Sequence, residues 1–436
     1  MRGKRGSISQ SKASLRQTKR VGSVIVLMVL AALLPVLVVT WFAANGTTAV
    51  SAAHTPIGPR TYPPTSQHAA LPHHRVYSVE KQSQGYMLMD ADTTGAAKPV
   101  TLLPNSFGSD ATDVVAALAL SPNQQYLAID AQQDHGDFVW IVATATNQLR
   151  TTPDDAIGNF VRWMPDGTHF LFRPFLPTRN DGTWNPGLWI VDAGTGAHIN
   201  LTLPNGLPAT DLADAAPAPD GTQIVLSVTT GLGQGSTVWL ASPDGMQMQP
   251  LFQSTADVGL FAWSPDGQQI AYETIADSSV PFRPAGLWVM SATGTAQHQI
   301  ATADGGHGYA PAWSPDGTQL AFVTRLNPTD STANGMAGAL VSAVQMATLA
   351  DGRITTVAAP AQTGTPRNID PIWQADGTLL FTAMGASSDF GAALSSSTLW
   401  QAAPTAVTTQ HPSTLQLTPI RQHLTSPTTA FVTIVP

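Results

Sequence analysis

Along most of this chain, apolar and polar residues alternate in short runs broken by Gly, Pro, Asp and Asn. Period-two alternation buries one face of an extended segment, so these runs predict strands. Six stretches share one pattern, two strands joined by a tight turn that is Asp-Gly in five of them. The clearest are VRWMPDGTHFLFR (Val161–Arg173), FAWSPDGQQIAYE (Phe261–Glu273) and PAWSPDGTQLAFV (Pro311–Val323). LALSPNQQYLAID (Leu118–Asp130), AAPAPDGTQIVLS (Ala215–Ser227) and PIWQADGTLLFTA (Pro371–Ala383) are weaker copies. Proline pre-sets φ for a tight turn, Asp tolerates the next position, and Gly takes the positive φ that follows.

After most copies comes another strand centred on a tryptophan (Trp140, Trp189, Trp239, Trp288 and Trp400), then a small-residue turn and a last strand. Each unit is a meander of strands A to D. The motif prolines, with Ala375 in the last copy, are spaced by 43, 54, 46, 50 and 60 residues. That period suits four-stranded propeller blades and exceeds leucine-rich or ankyrin units. One such sheet cannot cover both its faces; in a ring each blade covers the next, and the tryptophans become packing between blades.

The ends bear on the blade count. His74–Lys81, Gly85–Gly95 and Lys98–Leu103 form strands B, C and D without an A, and Thr429–Val435 is one strand with no neighbour in sequence. Paired, they make a seventh blade that closes the ring, and this favours seven blades over the alternative of six.

The repeated Ser-Pro-Asp-Gly strand pairs and the strand–turn–strand that follows resemble the WD-like repeats of TolB-type β-propellers, also found in the propellers of prolyl-oligopeptidase-like proteins. The resemblance runs from about Arg75 to the C-terminus and implies an all-β propeller. It implies no one function, because unrelated proteins use this repeat. The peptidases of that group carry their nucleophile in a hydrolase domain, and no Gly-x-Ser-x-Gly elbow occurs here. No α/β domain of the kind TolB carries is expected ahead of the first strands, which puts a TolB-like role in doubt.

Val21–Ala44 is 24 residues without a charge, preceded by seven basic residues and no acid. At 1.5 Å per residue it spans about 36 Å, enough for one transmembrane helix. The basic tail, residues 1–20, places the N-terminus in the cytoplasm and the rest outside. The alternative is a signal peptide cleaved near Ala52, after which the protein is secreted. Residues 45–72 form a Pro-, Thr- and Ala-rich linker, and residues 73–436 the propeller.

Beyond the tail the chain has 13 basic and 28 acidic residues, a net charge near −15, which argues against nucleic-acid partners. Without cysteine it has no disulfide, thiolate metal site or cysteine nucleophile. His135, His169, His198, His298, His307 and His411 fall at unrelated blade positions. Asp90–Gly95 begins like a calcium loop but has Thr101 at its twelfth position. No catalytic residue, metal or cofactor is therefore expected. Asp166, Asp220, Asp266, Asp316 and Asp376 recur because the turn recurs.

In a meander the A–B and C–D turns share one face, and the B–C and D–A connections share the other. The long segments 173–187, 277–286 and 325–338 are all B–C connections. They present Phe175, Arg179 and Trp184, with Phe282 and Arg283, residue types common in binding hot spots. Asn159, Asp214, Asp257, Tyr309, Asn368 and Asp370 enter strand A on that same face. The expected function is a membrane-tethered extracytoplasmic binding or scaffold module for an envelope protein, peptide or glycan. The alternative is a metal-assisted saccharide lyase or hydrolase working in the channel.

Overall fold

The computed structural model describes residues 75–92, 97–108, 113–133, 136–152, 156–174, 187–201, 212–229, 233–275, 283–305, 310–385, 397–404, 415–422 and 432–434. The tail, the apolar segment 21–44 and the linker lie outside these residues. Among the described residues no helix is long and apolar enough to cross a membrane.

Blade 1 holds β1 (Arg75–Gln82), β2 (Gly85–Asp92) and β3 (Lys98–Leu102); blade 2 holds β4 (Val114–Leu120), β5 (Tyr126–Gln133), β6 (Gly136–Ala143) and β7 (Gln148–Thr151). Blade 3 is β8 (Gly158–Trp163), β9 (His169–Pro174), β10 (Leu188–Asp192) and β11 (His198–Leu201). Blade 4 is β12 (Leu212–Pro217), β13 (Ile224–Thr229), β14 (Ser236–Ala241) and β15 (Met248–Ser254). Blade 5 is β16 (Asp257–Trp263), β17 (Gln269–Ile275), β18 (Ala285–Ser291) and β19 (His298–Ala303). Blade 6 is β20 (Ala312–Trp313), β21 (Gln319–Arg325), β22 (Ser342–Thr348) and β23 (Arg353–Ala358). Blade 7 is β24 (Arg367–Trp373), β25 (Leu379–Met384), β26 (Ser397–Pro404) and β27 (Leu415–Gln422). The last strand, β28 (Val432–Ile434), runs antiparallel to β1, Val76 facing Ile434, and completes blade 1. The molecule is thus a seven-bladed propeller with four strands per blade, closed by its two ends.

Strands A of neighbouring blades touch, β28 against β4 and on through β8, β12, β16, β20 and β24, and so form the innermost layer. An apolar cluster fills every junction between blades. Tyr77 and Leu88 of blade 1 meet Leu127 and Trp140 of blade 2, while at the closing seam Val76 meets Leu380 and Leu399 of blade 7. The other five junctions are built alike. Each fully buried Leu, Ile, Val or Phe contributes roughly 1.5–3 kcal/mol, so stability resides between sheets. The strand-C tryptophans lie in these clusters, Trp140 and Trp189 fully buried and Trp239, Trp288 and Trp400 half-buried.

The A–B turn is self-contained. Ser264 Oγ donates to Asp266 Oδ1 at 2.6 Å and accepts from the Gln269 amide at 2.9 Å, and Ser314 repeats both bonds with Asp316 and Gln319. Gly267 and Gly317 each sit at φ +69°, where a side chain is strained. The serine hydroxyls lead the hydrogen bonds that hold the Asp266 and Asp316 carboxyls below the usual carboxylate range. These aspartates are consumed by the turn.

The motif tryptophans have a second task. Trp163, Trp263, Trp313 and Trp373 donate their indole N–H, at 2.8–3.1 Å, to the carbonyls of Ala119, Ala216, Ala262 and Ala312. Each acceptor lies in strand A of the preceding blade, one residue before the position aligned with the tryptophan. The bond pins one blade's innermost strand to the next. In blade 4 that position is Pro217, and the junction is held from the other side by Arg162 of blade 3, whose Nε donates to Ala215 O at 3.2 Å.

The long connection expected over residues 325–338 is ordered around one cation. Arg325, 5% exposed, donates to the side chains of Asn327 and Asn334 and to the carbonyls of Asn327 and Asp330. Asp330 caps the short helix α1 (Ser331–Gly335), accepting from the amides of Thr332 and Ala333.

The tryptophan bond has a measurable cost of removal. Trp313→Phe strands the Ala262 carbonyl and should lower stability by about 1–3 kcal/mol in a urea titration. Trp400→Phe removes an indole N–H that has no acceptor among the described residues, and should cost less than Trp313→Phe. Equal losses in the two variants count against the bond.

Candidate functional site

Aligned on their turns, five of the six repeat copies end on the same strand-B position: Asp130, Arg173, Ser227, Glu273 and Val323 in blades 2 to 6. From there the side chain reaches the start of strand A in the next blade. Ser227 Oγ donates to Val258 O at 2.6 Å, and Arg173 Nη1 donates to Leu212 O at 2.9 Å. In blade 4 this is a plain joint. In blades 2 and 3 the position is charged and belongs to a cluster that extends into blade 4.

Strand β5 delivers Asp130, and β6, running back beside it, delivers Asp137. Across the junction, Asn159 at the start of β8 donates through Nδ2 to Asp130 Oδ1 at 3.4 Å and to Asp137 Oδ2 at 3.2 Å. Asn159 Oδ1 accepts from Arg173 Nη2 at 3.2 Å. One blade further on, Asp214 Oδ2 accepts from Arg162 Nη2 at 3.3 Å and from the Phe261 amide at 2.9 Å. Asp214 therefore joins blades 3, 4 and 5.

Burial, and then the charge of Asp137, push the Asp130 carboxyl up to about 8, against bonds from Asn159 and the Phe160 amide and the charge of Arg173. Burial also raises Asp137. It lowers Arg173, opposed by Asp130, Asp214 and Asp137. Asn159, Phe160, Arg162 and Arg173 remain half-buried at the surface of the cluster. The cluster combines guanidinium and amide donors with carboxylate acceptors, with Asp130, Asp137 and Asn159 at the strand ends beside the B–C and D–A connections, while the Phe160 ring packs against Trp163 and Phe170. Such a surface is equipped to hold a polar ligand.

Of the residues expected at this face, Asn159 and Asp214 belong to the cluster. Asp257 lies apart, its carboxylate accepting from Thr229 Oγ1 and from the amides of Gly233 and Gly235. Asn368 is fully buried in the junction of blades 6 and 7, bonded through its side chain and backbone to Ser342. Asp370 sits in a bulge of β24 at φ +57°, a conformation shared with Leu260 of blade 5, and burial pushes its carboxyl up to about 6. Arg283 is exposed before β18. Phe175, Arg179, Trp184, Phe282 and Tyr309 lie outside the described residues.

Asp130, Asp137, Arg162 and Arg173 were not singled out from the sequence. The signal was present in the last position of the repeat, charged in blades 2, 3 and 5 and valine in blade 6. Among the described residues no group of three or more His, Asp or Glu side chains could hold a metal ion. A cleft of about 740 Å³ lies among blades 1 to 3, lined in part by Tyr126, Asn147, Arg150 and Gly194, and contains none of the expected residues.

The sequence matches no known family, and no curated protein is detectably similar to it. Solved structures do resemble the fold. A prolyl endopeptidase aligns at TM-score 0.51 and 15% identity over 79% of this chain and 48% of its own. TolB from Acinetobacter baumannii aligns at TM-score 0.42 and 17% identity over 65% of this chain, and the alignment spans 62% of that structure. An oligogalacturonate lyase in complex with manganese aligns at TM-score 0.48 and 11% identity, covering 74% of this chain and 80% of its own. At these identities the likeness is one of fold.

The three-blade role of Asp214 is testable. Asp214→Ala should destabilise the protein by about 1–3 kcal/mol, because it leaves a backbone amide and a guanidinium without their acceptor. Combined with Arg162→Ala in a double-mutant cycle, the losses should fall short of additive by at least about 0.5 kcal/mol. Strict additivity in urea titrations would rule out the coupling.

Proposed function

We propose that this protein is a membrane-tethered, extracytoplasmic binding or scaffold propeller that engages an envelope protein, peptide or glycan through its long-loop face. The asymmetry between the two faces carries the reading. One face is built from repeated Ser-Asp-Gly turns whose polar groups satisfy one another. The other gathers the non-repeated charged residues of blades 2 to 4, with exposed Arg283 and the Arg325-ordered connection nearby in the ring. A partner reads what differs between repeats, and the differences accumulate on this side. The tether rests on the basic tail and on the 24 uncharged residues after it, with the N-terminus cytoplasmic. Phe175, Arg179, Trp184, Phe282 and Tyr309 are assigned to the same contact surface, alongside Asp257, Asn368 and Asp370 at its base.

A photo-crosslinking residue placed at Arg283 should capture a partner in native membranes. The same residue at Met246, 82% exposed in a C–D turn of the other face, should not. Trp184→Ala with Phe282→Ala should abolish the Arg283 product while leaving the fold intact by circular dichroism. Capture from Met246 alone would assign the wrong face.

A further inference from the structure

We infer that Asp130 and Asp137 form a proton-operated clasp between blades 2 and 3, closed while they share a proton beside Asn159 and loosened when both are ionised. The geometry sets up the conflict. Two carboxylate oxygens lie within hydrogen-bonding reach of one amide nitrogen, at 3.4 and 3.2 Å. Asn159 is a neutral donor and does not offset two negative charges. Asp130 is only 5% exposed, so water screens the pair poorly. Two carboxylates in one such site do not both ionise without cost, and one keeps its proton to a higher pH.

The charged group facing the pair is Arg173 of β9, whose Nη2 is held on Asn159 Oδ1; Asp214 of β12 acts on Arg173 in turn, and Arg162 of β8 is bonded to Asp214. Around the pair one cation stands against two carboxylates, and a single proton completes the balance. The displacement of Asp130 from 3.8 to about 8 agrees with this arrangement. The folded joint thus takes up a proton that the opened joint releases. Its contribution is full below the ordinary carboxylate range and drains away as pH rises towards about 8, beyond which it is constant.

The opening is local. Asn159 stands at the start of β8 on the face of the D–A and B–C connections, so losing the clasp frees that end of the strand first. The other end of β8 keeps the Trp163 bond to Ala119. The same proton therefore controls how firmly the charged patch of the long-loop face is held.

Hydrogen exchange on the full-length chain between pH 5 and pH 9 tests this, with protection corrected for the intrinsic pH dependence of exchange. Protection of the first amides of β8 should fall roughly ten-fold per pH unit up to about pH 8 and then level off. Strands β21 and β22 of blade 6 should not follow. Asp130→Asn and Asp137→Asn, each checked for folding, should both flatten the β8 profile, so one folded variant suffices. A flat wild-type profile overturns the clasp. So does an unchanged slope in the variants, or a parallel loss in blade 6, which signals global unfolding.

Discussion

A four-stranded sheet that is apolar on both faces has nothing to bury itself against, and every blade of this molecule is such a sheet. Ile224–Thr229 of β13 is buried at every position, which no isolated blade permits. The ring is the solution, and it demands that each blade meet the next at a fixed angle and height. Apolar packing alone tolerates sliding, because it is non-directional. The indole N–H of the motif tryptophan supplies the direction. It locks the inner strands in register at four junctions, and Arg162 does so at a fifth, where proline replaces the tryptophan.

Most of this architecture was legible in the chain. The motif spacing announced the blades, and the ragged ends announced that the seventh is shared; β28 beside β1 agrees with that reading. Of Thr429–Val435, the residues Val432–Ile434 are described, and they pair with β1. The tryptophan-to-carbonyl bond was not legible, because packing alone already accounted for an aromatic residue at that position. Pattern also says nothing about which backbone carbonyl in another blade will face an indole.

The charged cluster was half legible for a related reason. Asn159 and Asp214 stood out because they begin strands on the irregular face. Asp130 and Arg173 did not, because they end a repeat copy that had already been assigned to structure. Their partners in neighbouring blades lie 29 and 39 residues away in sequence. A repeat protein conceals function in this way: a position that is a plain joint in blade 4 is a charged junction in blades 2 and 3. Only the fold shows which departures from the repeat fall side by side.

The closing strand also dictates a timetable. Val76 pairs with Ile434, so the first strand of the ring waits for the last one to be made. At ~5–20 residues per second, some 20–70 s of synthesis separate the two. Throughout that time β1 shows a bare hydrogen-bonding edge to its surroundings, the kind of edge that recruits foreign strands. The other blades can assemble in order as they emerge, but the circle has no shortcut. Its closing pair of strands comes last, and a chain that stops short of Val432–Ile434 leaves an open arc in place of a ring.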